Sequence, residues 1–232
     1  MKTNDRKWIA FDAAGTLFET AEPVENVYAD CFSTLGFGLP ESTWKTAFHR
    51  AYEITPDPMY GDSGNWDAAE KQWWRDLVGN AAISSGIRPD PATMDDAFGE
   101  LFAHFASGSA WKLFPETHSV LSSLKAKGIG LAIVSNFDSR LHGILGELGI
   151  AAQFDHVITS ADVGARKPSP TILSRLMETT AANPADCCLV GDSLTADGGA
   201  AEAAAMPFFH IDRPRTDLAA FAEWHEARFF PK

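Results

Sequence analysis

The 232-residue chain has only three cysteines, no cluster of lysine or arginine, and no apolar run as long as a signal-peptide core or a membrane span. Cys31 stands alone, and Cys187 and Cys188 are adjacent within an apolar run. That pattern suits buried free thiols and a reducing compartment, and argues against a disulfide framework or a zinc site. Its seven histidines show no ligand spacing such as His-Glu-x-x-His. Nineteen basic residues face 31 acidic ones, for a formal net charge of -12, so a polyanion is repelled and nucleic acid is not an expected partner. A small anionic substrate stays possible, because a metal ion reverses the sign of a local site. Met1 to Lys7 is polar, and the sequence predicts a soluble, cytoplasmic protein with no membrane association. Internal repeats, low-complexity tracts and charge blocks are also missing.

What is present is a 45% hydrophobic composition, enough for one sizeable core and a smaller accessory domain. The stretch Trp8-Ile9-Ala10-Phe11-Asp12-Ala13-Ala14-Gly15-Thr16-Leu17-Phe18 organises the rest. Four apolar residues run into an aspartate, and Gly15 and Thr16 then let the backbone turn. This is the pattern of a buried parallel strand delivering a carboxylate to a crevice at its C-terminal end. Such an acid is a nucleophile, a metal ligand, or a cap on the next turn.

From Pro23 to Gly108 no buried strand is predicted. Helical spacing appears in Val24 to Leu35, Trp44 to Tyr52, Trp66 to Ile83 and Met94 to Phe105, with an irregular Pro/Gly loop from Thr55 to Asn65. Four helices of this length make a small bundle holding four of the seven tryptophans, read as core or dimer contacts. Trp73 and Trp74 are adjacent and are expected on different sides of their helix.

After Pro115, helices alternate with short apolar strands. The predicted order is helix Thr117 to Lys127, strand Leu131 to Val134, helix Arg140 to Leu148 and strand His156 to Thr159. Helix Pro170 to Thr180, strand Cys187 to Val190, helix Ala196 to Ala205, strand Phe208 to Ile211 and helix Asp217 to Ala227 follow. Alternation of this kind predicts an α/β fold with a doubly wound parallel sheet, whose right-handed crossovers bring the strand ends to one crevice. The bundle is then an insertion. Residues 1–19 and 109–232 are expected to form the α/β core, and 20–108 the helical domain.

Just past the strands lie Asp12, Ser135 with Asn136, Lys167, and Asp192 with Asp197 five positions on. Asp12 and Asp192 are hard oxygen ligands suited to Mg2+, while Ser135 and Lys167 can satisfy phosphoryl oxygens. Singly, each of these residues is an ordinary turn or loop residue; together, in this order, they suggest a site.

The segments Asp12-Ala13-Ala14-Gly15-Thr16-Leu17, Val134-Ser135-Asn136, Arg166-Lys167-Pro168 and Gly191-Asp192-Ser193-Leu194-Thr195-Ala196-Asp197 resemble the four ordered motifs of the haloacid dehalogenase-like (HAD) hydrolase superfamily. The helical insertion resembles the cap of its C1-capped members. Val134 to Leu141 and Gln72-Trp73-Trp74 are similar to the rhythmically-expressed-gene-2-like branch. The resemblance implies a Rossmann-like core and phosphatase chemistry on a small phosphorylated metabolite, with an aspartyl phosphate formed on Asp12 and Lys167 as a second catalytic residue. It implies that Thr16, Ser135 and Asn136 contact substrate. It further implies Mg2+ bound by Asp12, the backbone carbonyl of Ala14 and Asp192, with Asp197 acting through water or by orientation. A monomer or homodimer is expected.

One position departs from that pattern. Phosphatases of the superfamily usually carry a second aspartate where this chain has Ala14. That acid protonates the leaving group and activates water, help worth about 10²–10⁴ in rate. Three readings therefore stay open. One is a slow or specialised phosphatase. A second is a dehalogenase- or phosphonatase-type hydrolase, although Asp192 argues against the first and the second needs a cap lysine, for which only Lys45 and Lys71 are available between Phe18 and Ala110. The third is a non-catalytic protein that binds a phosphorylated ligand or a partner.

Overall fold

A computed structural model describes residues 6–62, 64 and 66–229. The polar start of the chain through residue 5, and residues 63 and 65 of the expected loop, lie outside the described residues. The first strand, β1 (Trp8–Phe11), is buried on both faces, as its unbroken apolar run demands. It is the middle strand of a five-stranded sheet. The others, in chain order, are β4 (Gly130–Ser135), β5 (His156–Thr159), β6 (Cys187–Gly191) and β7 (Phe208–His210). Their order is β5-β4-β1-β6-β7 and all pairings are parallel. The chain moves outward from β1 through β4 to β5, then crosses to the other side for β6 and β7. The C-terminal end of β1 is therefore a topological switch point, where open α/β sheets place a crevice.

Alternation along the strands sorts side chains into two layers. Ile9, Phe11, Leu131, Ile133, Cys188 and Val190 pack on one side with α5 (Thr117–Ala126), α6 (Arg140–Glu147) and α10 (Leu218–Phe229). Trp8, Ala10, Ala132, Val134, Cys187 and Leu189 face the opposite layer, built from α8 (Thr171–Thr180) and α9 (Gly199–Ala203). All three cysteines are buried and free. Among the described residues, no helix is long and apolar enough to cross a membrane.

Between β1 and β4 stand α1 (Val24–Thr34), α2 (Glu41–Ile54), α3 (Trp66–Ser85) and α4 (Pro91–His104). They share a separate apolar cluster centred on Phe32, Trp44, Leu77 and Ala81. Asp90 accepts hydrogen bonds from the backbone of Ala92 and Thr93, and Pro91 opens α4, so this helix starts three residues before its apolar stripe.

Three features differ from the sequence reading. Chain leaves and re-enters this helical unit through a short antiparallel pair, β2 (Phe18–Thr20) with β3 (Trp111–Leu113), too brief to show a period in sequence. A one-turn helix, α7 (Ser160–Val163), directly follows β5. The helix expected over Ala196 to Ala205 is broken: Leu194–Gly198 forms a π turn and only Gly199–Ala203 is α-helical. Both Asp197 N (2.9 Å) and Gly198 N (3.1 Å) donate to Ser193 O, which widens the turn.

Candidate active site

Asp12 lies one residue beyond β1, and its N–H still donates to Val190 O at 2.8 Å, so the sheet itself fixes where the side chain starts. Gly15 then takes φ +83°, and a Cβ there would overlap the Asp192 carboxylate. Only glycine lets the loop after β1 close on the end of β6 in this way. Gly191 serves the same end from the other strand, since a Cβ on it would overlap Asp197.

Ser135 closes β4 and donates to Asp12 Oδ1 at 3.1 Å. Lys167, only 4% exposed, donates to that same oxygen at 2.7 Å, to Asp197 Oδ1 at 2.6 Å and to Val134 O at 2.9 Å. Burial lowers the lysine, but Asp12 and Asp197 more than offset it and hold the ammonium above the ordinary lysine value. Oxygen ligand atoms from Asp12, Asp192 and Asp197 all lie within 4.8 Å of one another. Burial and the charges of Asp12 and Asp197 push Asp192 up to about 6, and burial and Asp12 raise Asp197 although Lys167 opposes them. Three carboxylates against one ammonium leave an excess of negative charge that a hard divalent cation can neutralise.

The structure thus brings Asp12, Ser135, Lys167, Asp192 and Asp197 together in a crevice of about 300 Å³ that also touches Asn136 and Ala14. Two of the expected substrate contacts sit differently. Asn136 spends both ends of its amide on Lys167, donating to its carbonyl at 3.0 Å and accepting from its N–H at 2.8 Å. These two bonds tie it to the loop that carries the lysine, while it still lines the crevice. Thr16 is fully buried, and its hydroxyl finds no partner among the described residues. Asp197 also has both oxygens engaged, one with Lys167 and the other with Ser193 N at 3.0 Å. Its geometry is that of an orienting residue. Lys45 is exposed and faces Glu25 at 3.6 Å, while the exposed Lys71 lies over the Phe102 ring. Neither lines the crevice, and neither is desolvated as an amine nucleophile requires.

The side of the crevice contributed by the helical unit was not visible in the sequence. Trp73 and Trp74 do not part to different sides as expected: their rings meet edge to face with centroids 4.9 Å apart and both line the crevice, Trp73 buried and Trp74 half-buried. Arg166, next to Lys167, lies 3.7 Å over the Trp73 ring and makes a two-pronged ion pair with Glu70 of α3. Glu70 has no exposed surface, and Tyr60 and Ser160 also donate to it. Asp67, one turn earlier, accepts from Ser139 N at 2.8 Å. A buried glutamate on a helix otherwise rich in surface charge is the sort of exception that periodicity alone cannot flag.

Replacing Glu70 by alanine leaves the Arg166 guanidinium buried and uncompensated, which costs about 3–5 kcal/mol. Urea denaturation should show that loss for Glu70→Ala, with most of it recovered in Glu70→Ala/Arg166→Met. A change below about 1 kcal/mol would mean that solvent or another anion reaches Arg166 freely.

Comparison with known proteins places the chain in a family. The family description "haloacid dehalogenase-like hydrolase" matches residues 6–205. The mouse "haloacid dehalogenase-like hydrolase domain-containing protein 3" is 32% identical over 205 residues, covering 88% of this chain and 80% of the mouse protein. The Drosophila melanogaster "rhythmically expressed gene 2 protein" is 25% identical over 198 residues, covering 82% and 76%. A crystal structure of a HAD phosphatase from Thermococcus onnurineus superposes with a TM-score of 0.61 at 24% identity, over 90% of this chain and 88% of that one. A parallel sheet with an acid at its switch point, matched across most of the chain by these sequences, makes this protein a member of the haloacid dehalogenase-like hydrolase family.

Proposed function

We propose that this hydrolase is a Mg2+-dependent phosphatase acting on a small phosphorylated molecule through an aspartyl phosphate on Asp12. One observation carries the reading: Lys167 and Ser135 both donate to Oδ1 of Asp12, which leaves Oδ2 without a protein donor among the described hydrogen bonds, in a carboxylate that has an oxygen within 4.8 Å of one from Asp192. A carboxylate with one oxygen pinned and the other available is oriented for attack on phosphorus. Lys167 also offsets charge as the phosphoryl group arrives, and Ser135 supplies a fixed hydroxyl. Asn136 keeps Lys167 in place through its backbone.

Asp12, Asp192 and the carbonyl of Ala14 are the ligands proposed for Mg2+, with Asp197 orienting the lysine behind them. The cluster of hard oxygens and its excess negative charge fit that ion. When bound, Mg2+ supplies Lewis-acid stabilisation of phosphoryl charge. The four-helix unit, residues 20–108, is proposed as the cap that limits water access to the crevice, with Trp73, Trp74 and Tyr52 on its inner side.

Ala14 supports a second reading, in which a phosphorylated ligand is held without turnover. Metal binding is common to both, and transfer to Asp12 separates them. Asp192→Ala should weaken Mg2+ binding by on the order of a hundredfold or more in titration calorimetry. An unchanged affinity would remove Asp192 from the metal site.

A further inference from the structure

The crevice adjoins a second cavity of about 210 Å³, and Ala14, Trp74, Trp111 and Phe137 line both. Its walls include Phe102 and Phe105, and its one charged member, Arg140, is neutralised. The Arg140 guanidinium is bound by Asp138 through Nε at 2.8 Å and Nη2 at 2.7 Å, donates to Phe102 O at 3.3 Å, and lies 3.7 Å over the Phe102 ring. Water needs two to four polar partners to occupy such a space. Walls of this composition provide few, so the cavity suits an apolar occupant.

We infer that the substrate is an aryl phosphate monoester whose aromatic leaving group seats in this cavity while its phosphoryl group lies beside Asp12. The inference rests on the phosphatase reading above and adds the substrate class. Two independent features meet at Ala14. The first is shape: an apolar cavity of about 150 Å³ already accepts benzene, so this one takes a substituted ring or a fused pair. Aromatic walls add edge and face contacts to that burial. The second is chemistry. Ala14 removes the usual proton donor, so the leaving group must depart as an anion. A phenol, like a tyrosine side chain, ionises at about 10, whereas an alkanol is a far weaker acid and depends on protonation. The same methyl that deprives an alkyl ester of its acid gives an aryl ester an apolar wall.

The step is balanced without a protein acid. An Asp12 oxygen forms a bond to phosphorus, and the P–O(aryl) bond breaks with its electron pair going to the aryl oxide. Water then adds to phosphorus, the acyl phosphate bond returns its pair to Asp12, and the proton released ends on the aryl oxide or in solvent.

The test compares 2-naphthyl phosphate, phenyl phosphate, benzyl phosphate and acetyl phosphate, with Mg2+ present, in the wild type and in Leu101→Trp and Val78→Phe. Both positions line the cavity and neither lines the crevice that holds Asp12. Phenyl phosphate should exceed benzyl phosphate in kcat/KM by about 100-fold, the size of the missing acid's contribution. The ratio of naphthyl to acetyl phosphate kcat/KM should fall about tenfold or more in at least one variant, mainly through KM. Acetyl phosphate is too small to need the cavity, and its turnover by the variant shows that the Asp12 site has folded. If acetyl phosphate is hydrolysed but aryl esters are no better than benzyl phosphate, or the ratio is unmoved in both variants, the aryl seat is overturned and the phosphatase reading survives. If no donor yields phosphate or a phosphoryl adduct, both fall together.

Discussion

Asp12→Asn protein should release no phosphate from any donor and take up no phosphoryl group, while keeping its fold. Removal of a covalent nucleophile costs on the order of 10⁶ in kcat, which places the variant at the background of most assays. The fold should survive because the sheet, not the carboxylate, sets the backbone here: Asp12 N remains bonded to Val190 O. An asparagine oxygen can still accept from Lys167 and Ser135, and Asp197 keeps the lysine paired. One negative charge is also lost from a cluster of three, which relieves the repulsion that raises Asp192. Phosphate release by purified Asp12→Asn, with mass confirming that the asparagine has not deamidated, would place the chemistry on another group.

Ala14→Asp is the second substitution of large expected effect, and its outcome depends on the substrate. With benzyl phosphate, both departure of the alcohol and attack of water gain a proton-transfer partner, and turnover should rise by about 10²–10⁴. With phenyl phosphate only the second step gains, so the rise is smaller. The new carboxyl also stands at the wall shared with the aromatic cavity, where an uncompensated charge is costly. KM for aryl esters should therefore increase. Steady-state kinetics on the two esters checks both parts. If benzyl phosphate turnover is unchanged in a folded variant, the missing acid is not what limits this site.

Much of the α/β core could be read from sequence, for a physical reason. Strands buried on both faces are continuous apolar runs, and Trp8–Phe11, Gly130–Ser135 and Cys187–Gly191 stand out against amphipathic helices. Once such strands are taken as parallel, their ends converge, and Asp12, Ser135 and Asp192 follow. What stayed hidden depends on which surface covers which. Periodicity marks Trp74, Phe102 and Phe105 as belonging to buried helix faces but cannot tell a filled core from a cavity wall. Glu70 looks like one more charged helix residue until Arg166 is seen against it. Asn136, adjacent to Ser135, suggests a ligand contact, yet its amide matches the backbone of Lys167, which is 31 positions away. The break at Leu194–Gly198 arises because Asp197 turns inward toward Lys167 and Ser193, a tertiary demand that outweighs the helix propensity of the alanines around it.

Transfer of a phosphoryl group to Asp12 can be weighed directly by intact mass spectrometry. Wild-type protein and Asp12→Asn are mixed with Mg2+ and, in turn, acetyl phosphate and 2-naphthyl phosphate, quenched in acid, and weighed while free phosphate is counted. We predict that the wild type gains one phosphoryl group, that fragmentation places it on Asp12, and that phosphate appears more slowly than the adduct. The Asp12→Asn protein should gain nothing. Equal labelling of both proteins, or neither adduct nor phosphate with either donor, would rule out Asp12 as the phosphoryl acceptor.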